Sequence, residues 1–194
     1  MKDMDKAVKR IFEAIKNDEK ILIYGDYDVD GTTSVALVCK YLKSNSTNQI
    51  STYIPDRYDE GYGISYQSID YAADNEFSLV IALDCGVKAI DKISYANNKK
   101  IDYIICDHHK PETTIPDAAA VLNPLREDCK YPFKYLCGCG IGFKLIQALD
   151  QSQDDWESNI ESYLDLVAVA IGADLVPLIG ENRTLCYFGL KIIK

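Results

Sequence analysis

Three apolar runs in this chain each stop at acidic residues, and that pattern restricts the fold more than any other feature. Ile21 to Tyr24 leads into Gly25-Asp26-Tyr27-Asp28-Val29-Asp30-Gly31, and Leu79 to Leu83 leads into Asp84-Cys85-Gly86. Tyr103 to Cys106 leads into Asp107-His108-His109, which holds the only two histidines of the 194 residues. Short runs without polar alternation read as strands buried on both faces, the habit of parallel sheets covered by helices. Ile50 to Ile54 adds another strand, and Ala118 to Leu122 is a candidate fifth. Helical spacing fills the intervals: Val8, Ile11, Phe12 and Ile15; Thr32 to Leu42 with Val35, Val38 and Leu42 inward; Ser65 to Ala73; Val87 to Ala96. Alternating strands and helices of about ten residues are the mark of βαβ units.

The second half turns helical, with helices expected over Gly140 to Leu149, Trp156 to Gly172 and Leu185 to Lys194, and a polar connector from Asp150 to Asp155. Steps of three or four from Tyr163 through Val167 and Ala170 bring Asp174 to the end of its helix. The fold class is therefore α/β, a parallel β-sheet flanked by helices with a more helical C-terminal part, in one domain over residues 1–194. A hydrophobic content of 47% suffices for a core without disulfides. The weakly polar stretch Leu166 to Gly180 is broken by Asp174 and falls short of the roughly 20 apolar residues a membrane helix needs. The N-terminus lacks a signal-peptide apolar region. Seven scattered cysteines form no disulfide framework, and Cys137-Gly138-Cys139 lacks zinc-knuckle spacing, so reduced core cysteines in a cytoplasmic protein are expected.

In open parallel sheets ligands bind beyond the carboxyl ends of the strands. Asp26, Asp28, Asp30, Asp84, Asp107, His108 and His109 all fall there, so acids distant in sequence become neighbours. Asp28 and Asp30 are two apart and in extended backbone project to one side, with Gly31 turning the chain into a helix whose N-terminal amides favour anions. Crowded carboxylates repel unless cations lie between them. Mixed carboxylate and imidazole donors suit manganese, and also iron or zinc. Two such ions about 3.5–4 Å apart clamp the attacking and leaving oxygens of a phosphoester. A single Asp-rich turn is more often just a solvated turn; three together favour a site. The net charge of −9 argues against broad binding to a nucleic-acid backbone, yet bound cations would invert the local field.

The motifs resemble those of the DHH phosphoesterases, and within them the branch of single-stranded-DNA exonucleases. The stretches that carry the resemblance are Gly25 to Thr33, Leu83 to Gly86, Asp107-His108-His109 and Ala168 to Leu178, with Ile54 to Gly63 and Leu136 to Phe143 between them. Together they cover Ile21 to Arg183. The resemblance implies a two-metal hydrolase using Mn2+ or Mg2+, with Asp28, Asp30, Asp84, His108 and Asp174 as metal ligands and Asp84 bridging. It places His109 on the scissile phosphate and gives Asp107 and Asp26 supporting roles. Arg57, Lys110 and Arg126 are weaker candidates for phosphate or DNA contact. One departure is Tyr24, where many family members carry a histidine four residues before the first metal-binding aspartate. A looser metal site, or one completed by Asp26, is the expected consequence.

Hydrolysis of single-stranded DNA from the 5′ end, in repair and recombination, is the function so implied, with a helicase and a single-strand-binding protein as possible partners and no membrane. The resemblance also implies DHHA1 and OB-fold domains that do not fit within these residues. Alternatives are a phosphodiesterase for oligoribonucleotides or cyclic dinucleotides, more remotely a pyrophosphatase, and, from another class, a non-catalytic nucleotide-binding domain.

Overall fold

In the computed structural model, residues 1–152 and 159–193 are described. Five strands form one sheet: β1 (Lys20–Gly25), β2 (Ile50–Tyr53), β3 (Phe77–Leu83), β4 (Asp102–Cys106) and β5 (Ala120–Leu122). Every pairing is parallel, in the order β2-β1-β3-β4-β5. The order reverses between β1 and β3, so the crevice beyond their carboxyl ends is the switch point where such sheets bind ligands.

The apolar runs are continuous because helices cover both faces of the sheet. Ile21, Ile23, Leu79, Ile81, Leu83, Ile104 and Cys106 enter one core with α1 (Met4–Lys16), α2 (Val29–Asn45), α5 (Gly138–Asp150) and α6 (Leu164–Ala173). Leu22, Tyr24, Val80, Ala82, Tyr103 and Ile105 point the opposite way, onto α3 (Tyr66–Asp74) and α4 (Ile90–Asn98). Successive strand residues alternate between the two cores, as the pleat requires. The last helix, α7 (Gly180–Ile192), packs on α6.

Several boundaries differ from the sequence reading. The second helix begins at Val29 rather than Thr32, because Asp28 caps it by accepting from the Gly31 amide at 2.9 Å. The fourth begins at Ile90 rather than Val87, since the Val87 N–H is drawn away to Asp107. A single helix from Trp156 to Gly172 is not observed: a 3-10 turn over Ile160–Tyr163 precedes α6, and Trp156 lies outside the described residues, as does part of the connector that follows Asp150. The last helix starts at Gly180, ahead of the expected Leu185, and Lys194 is not described.

Candidate active site

The chain leaves β1 at Gly25 and enters α2 at Val29, so its three acids diverge. Asp28 is exposed at the cap, whereas Asp30, in the first turn of α2, is 1% exposed. Their expected projection to one side of an extended segment does not occur, because the backbone is already helical from Val29. Gly31 is needed for a close approach rather than for a turn: a Cβ there would lie 2.3 Å from the Asp26 carbonyl oxygen.

Asp30 points at the N-terminus of α5. Its Oδ2 accepts from the Gly138 N–H at 2.6 Å and its Oδ1 from the Cys139 N–H at 2.8 Å. A helix N-terminus favours a carboxylate, which gives the Cys137-Gly138-Cys139 stretch a structural reason. Gly138 also permits Asp84 to approach, since a Cβ there would sit 2.6 Å from Asp84 Cβ. Asp84 itself follows β3 with φ +60, a left-handed conformation tolerated better by Asp than by most residues. Its N–H is held by the Cys106 carbonyl at 2.8 Å.

His108 joins these acids. Its Nε2 lies 3.2 Å from Asp84 Oδ1, 3.7 Å from Asp174 Oδ2 and 3.8 Å from Asp30 Oδ2. Asp174 reaches it from the C-cap of α6, as the spacing foretold. A carboxylate at a helix C-terminus sits against the dipole, so this position needs compensating positive charge. Three donor sets have ligand atoms within 4.8 Å of one another: Asp30, His108 and Asp174; Asp84, His108 and His109; and Asp26, Asp28 and Asp84. Asp84 and His108 each belong to two of them, which links all three sets into one cluster.

The cluster suits divalent cations on the chemistry of its own atoms. Asp26 Oδ1, Asp84 Oδ1, Asp174 Oδ2 and His108 Nε2 are buried and make no hydrogen bond, despite their mutual proximity. Unsatisfied polar atoms are costly and rare in folded proteins. Burial raises the Asp30 and Asp174 carboxyls above the ordinary range, and raises Asp84 to about 10, helped by the charges of Asp30 and Asp28. Burial and the Asp28 charge also raise Asp26. Four acids that resist ionisation beside one another are what a cation would relieve.

Asp107 is treated differently. Burial pushes its carboxyl up, but hydrogen bonds from His109 and Val87 outweigh that and hold it below the usual range. Its Oδ1 lies 2.8 Å from His109 Nδ1 and accepts the His109 N–H at 3.0 Å, while Oδ2 accepts from Val87 N–H at 2.8 Å. The hydrogen bond to Asp107 in turn raises the affinity of the His109 ring for a proton. Asp107 thereby fixes His109, and the Tyr62 hydroxyl lies 3.3 Å from both nitrogens of that ring.

Of the weaker candidates, Arg57 is exposed and lies over the ring of Tyr27, the residue between Asp26 and Asp28 in sequence, at 5.2 Å. Lys110 is exposed in a neighbouring cavity that it shares with Pro111 and Glu112. Arg126 is a correction. Its guanidinium is 6% exposed and bonded to Asp3, to both oxygens of Asp128 and to the Val121 carbonyl. It ties the start of α1 to the chain after β5, with four of its five N–H donors engaged inside the protein.

Tyr24 does not face the cluster. It is fully buried on the opposite side of the sheet, stacks on Tyr53 and donates its hydroxyl to the Gly63 carbonyl at 2.7 Å. It anchors the loop that carries Tyr62, while Asp26 stands with Asp28 and Asp84. Sequence reasoning also missed Asn123, whose Nδ2 donates to the His109 carbonyl at 2.8 Å. A buried Asn just after β5 was the available signal.

An all-parallel α/β sheet with acids and imidazoles converging at its switch point defines the class: a domain whose side chains are arranged to gather cations. The chain belongs to the DHH family, whose N-terminal domain matches residues 20–171. Over 194 residues it is 42% identical to the single-stranded-DNA-specific exonuclease RecJ of Bacillus subtilis (strain 168), covering 100% of this chain and 24% of that one. With the Escherichia coli (strain K12) RecJ it shares 35% identity over 200 residues, covering 98% of this chain and 35% of the relative. The chain thus spans roughly a quarter to a third of these curated relatives. A crystal structure of exonuclease RecJ bound to manganese superposes with TM-score 0.88 at 29% identity, over 98% of this chain and 48% of that one. The Thermus thermophilus RecJ in complex with Mn2+ gives TM-score 0.82 at 28% identity, over 98% of this chain and 27% of that one.

Proposed function

We propose that this chain is the metal-dependent catalytic part of a phosphodiesterase that removes nucleotides from the 5′ end of single-stranded DNA. The observation that carries the reading is the cluster of Asp30, Asp84, His108 and Asp174, in which inward atoms of Asp84, His108 and Asp174 lack hydrogen-bond partners. The single-stranded-DNA exonucleases among the relatives supply the substrate class, and the family resemblance supplies the direction.

Asp30, Asp84, His108 and Asp174 would hold one divalent cation, and Asp28, Asp84 and Asp26 a second, with Asp84 common to both. Such cations, manganese or magnesium, supply charge that neutralises the acids, polarises a phosphoryl oxygen and activates water. Asp107 keeps the His109 ring in one orientation and favours its protonated form. His109 can therefore donate a hydrogen bond to a phosphate oxygen as negative charge builds there. Tyr62 bounds the ring on its exposed side. Arg57 and Lys110 are exposed and can meet the DNA backbone. A net charge of −9 disfavours broad contact with the DNA backbone by these residues alone.

No helix of the described residues is long and apolar enough to cross a membrane. All seven cysteines are free and six of them are buried, which suits a reducing compartment such as the cytoplasm. DNA repair and recombination is the setting this reading implies, where helicases and single-strand-binding proteins generate and coat the substrate. The test is manganese-dependent release of mononucleotides from oligonucleotides labelled at either end. Label from the 5′ end should appear first as mononucleotide, with His108→Ala inactive. Equal rates in wild type and His108→Ala would show that the cluster is not catalytic.

A further inference from the structure

The loop between β2 and α3, residues 54–65, has no helix or strand of its own, yet one carboxylate organises it. Glu60 Oε1 accepts from the Asp56 N–H at 3.0 Å, and the Tyr53 hydroxyl lies 3.0 Å from both Glu60 oxygens. The Ser65 hydroxyl also donates to Oε2. Tyr53 is the last residue of β2, and Ser65 is the N-cap of α3, accepting the Ser68 N–H at 2.9 Å. Glu60 therefore joins the end of a strand to the start of a helix across the loop that separates them.

Its charge is not spent on an ion pair. No lysine or arginine pairs with Glu60 among the described residues, and neutral donors meet both of its oxygens. Hydrogen bonds to an ionised group are roughly twice as strong as neutral ones, so three donors on one carboxylate make a firm junction. Asp56 tightens the turn from within, taking the Tyr58 and Asp59 N–H groups on Oδ1, whereas Glu60 reaches outward to β2 and α3.

What the loop delivers is Tyr62. This residue is 56% exposed, yet its hydroxyl is turned inward, 3.3 Å from both nitrogens of the His109 ring and 3.5 Å from the Asp84 carbonyl oxygen. A half-exposed side chain has rotamer freedom to lose, and water competes for its hydroxyl, so its backbone must be held in place. Gly61 and Gly63 flank it, both with φ +77, a conformation that glycine adopts freely. Both sides are fastened nonetheless. Glu60 holds the chain before Tyr62, and the Tyr24 hydroxyl holds the Gly63 carbonyl after it.

We propose that Glu60 is a positioning residue for His109: by tying β2 and α3 together across the loop, it places the Tyr62 hydroxyl against the imidazole and adds a second restraint to the one Asp107 supplies. It touches neither the acid cluster nor the ring, and acts through Tyr62. The inference rests on the nuclease reading above.

The test compares Glu60→Ala and Glu60→Gln in manganese-dependent oligonucleotide hydrolysis. Glu60→Ala should lower kcat about tenfold or more, the scale of a slightly misplaced reacting group, with manganese stoichiometry unchanged. Glu60→Gln keeps the length and an acceptor oxygen and should recover most of that loss. In a Tyr62→Phe background Glu60→Ala should cost less than about twofold, because residues that act through one another are not additive. Asn48→Ala serves as a control for lost stability alone, since Asn48 bonds the Ala14 and Glu19 carbonyls ahead of β2. The chain has two histidines, so imidazole NMR signals of the magnesium-loaded protein report the ring directly, apart from turnover. The His109 signals should shift in Glu60→Ala and stay in place in Asn48→Ala. Unmoved His109 signals in Glu60→Ala, a Glu60→Gln variant as slow as Glu60→Ala, or a full additive loss in the Tyr62→Phe background overturns the proposal. A folded, metal-loaded wild type that cleaves no single-stranded DNA would instead overturn the nuclease reading.

Discussion

The turns that follow β3 and β4 each present one buried aspartate to the same crevice, and the two carboxylates behave oppositely. Asp84 is 2% exposed and Asp107 1% exposed. Around Asp107 the chain supplies the Val87 amide and both the amide and ring of His109, and the carboxyl is held below its ordinary range. Around Asp84 it supplies other acids, and Oδ1 is left without a hydrogen bond. Burial alone therefore does not define a functional acid. On the proposed reading, the acid that the protein has already satisfied positions His109, and the one left unsatisfied is a cation ligand.

The largest effect that would sharpen this contrast is at Asp84. Asp84→Asn should lower manganese-dependent hydrolysis by about three orders of magnitude, the scale of removing a principal electrostatic contributor. It should also raise the Tm of the metal-free chain, because it removes a charge that the fold opposes. A variant both inactive and less stable would break the contrast.

Asp107→Asn should behave the other way. The loss of its hold on His109 should cost about 10–100-fold in rate, and the disturbed hydrogen bonds about 1–3 kcal/mol of stability, read by urea unfolding. If Asp107→Asn instead stabilised the metal-free chain, its pairing with His109 would not be a net favourable one.

The pH dependence of the metal-free chain gives a third way to separate the two acids. Asp84, Asp30 and Asp174 bind protons more tightly folded than unfolded, so at intermediate pH the native state carries more protons. Stability then falls as pH rises from the unfolded carboxyl range toward about 10 for Asp84. Asp107, with its lowered affinity, acts in the opposite sense, and only as pH drops below the unfolded carboxyl range. In EDTA the Tm should decline between about pH 5 and about pH 8, and saturating manganese should flatten or reverse that decline. A rising Tm in EDTA would contradict the assignment.

The smallest effects belong to the scaffold. Tyr24→Phe leaves the Gly63 carbonyl without its donor and should cost about 1 kcal/mol, with a modest loss of rate as the Tyr62 loop loosens. Arg126→Met should lower Tm through its buried pairing with Asp3 while leaving KM for DNA unchanged. A raised KM would restore Arg126 as a DNA contact.

Much of this was legible in the sequence. Continuous apolar runs ending in acids gave away a parallel sheet, and the switch-point rule placed Asp30, Asp84 and His108 together before any coordinates. Helical spacing brought Asp174 to the end of its helix, and the family resemblance assigned it to the site. What stayed hidden depended on partners far away in the chain: Arg126 is claimed by Asp3, 123 positions earlier, and Asn123 serves His109 across a loop. The divergence of Asp28 and Asp30 was hidden for a different reason, since a capping aspartate begins a helix where an extended turn looked equally natural. Tyr24 was read against the site because its position in the family motif outweighed the simple alternation of β1, which sends it to the opposite core.

The unsatisfied atoms of the cluster set the most direct test. Crystals grown with manganese should show two anomalous-scattering peaks, both within ligating distance of Asp84, one also beside Asp30, His108 and Asp174. Asp84→Asn crystals should lose at least one. No peak near Asp84 at saturating manganese would contradict the proposal that these acids are held for cations.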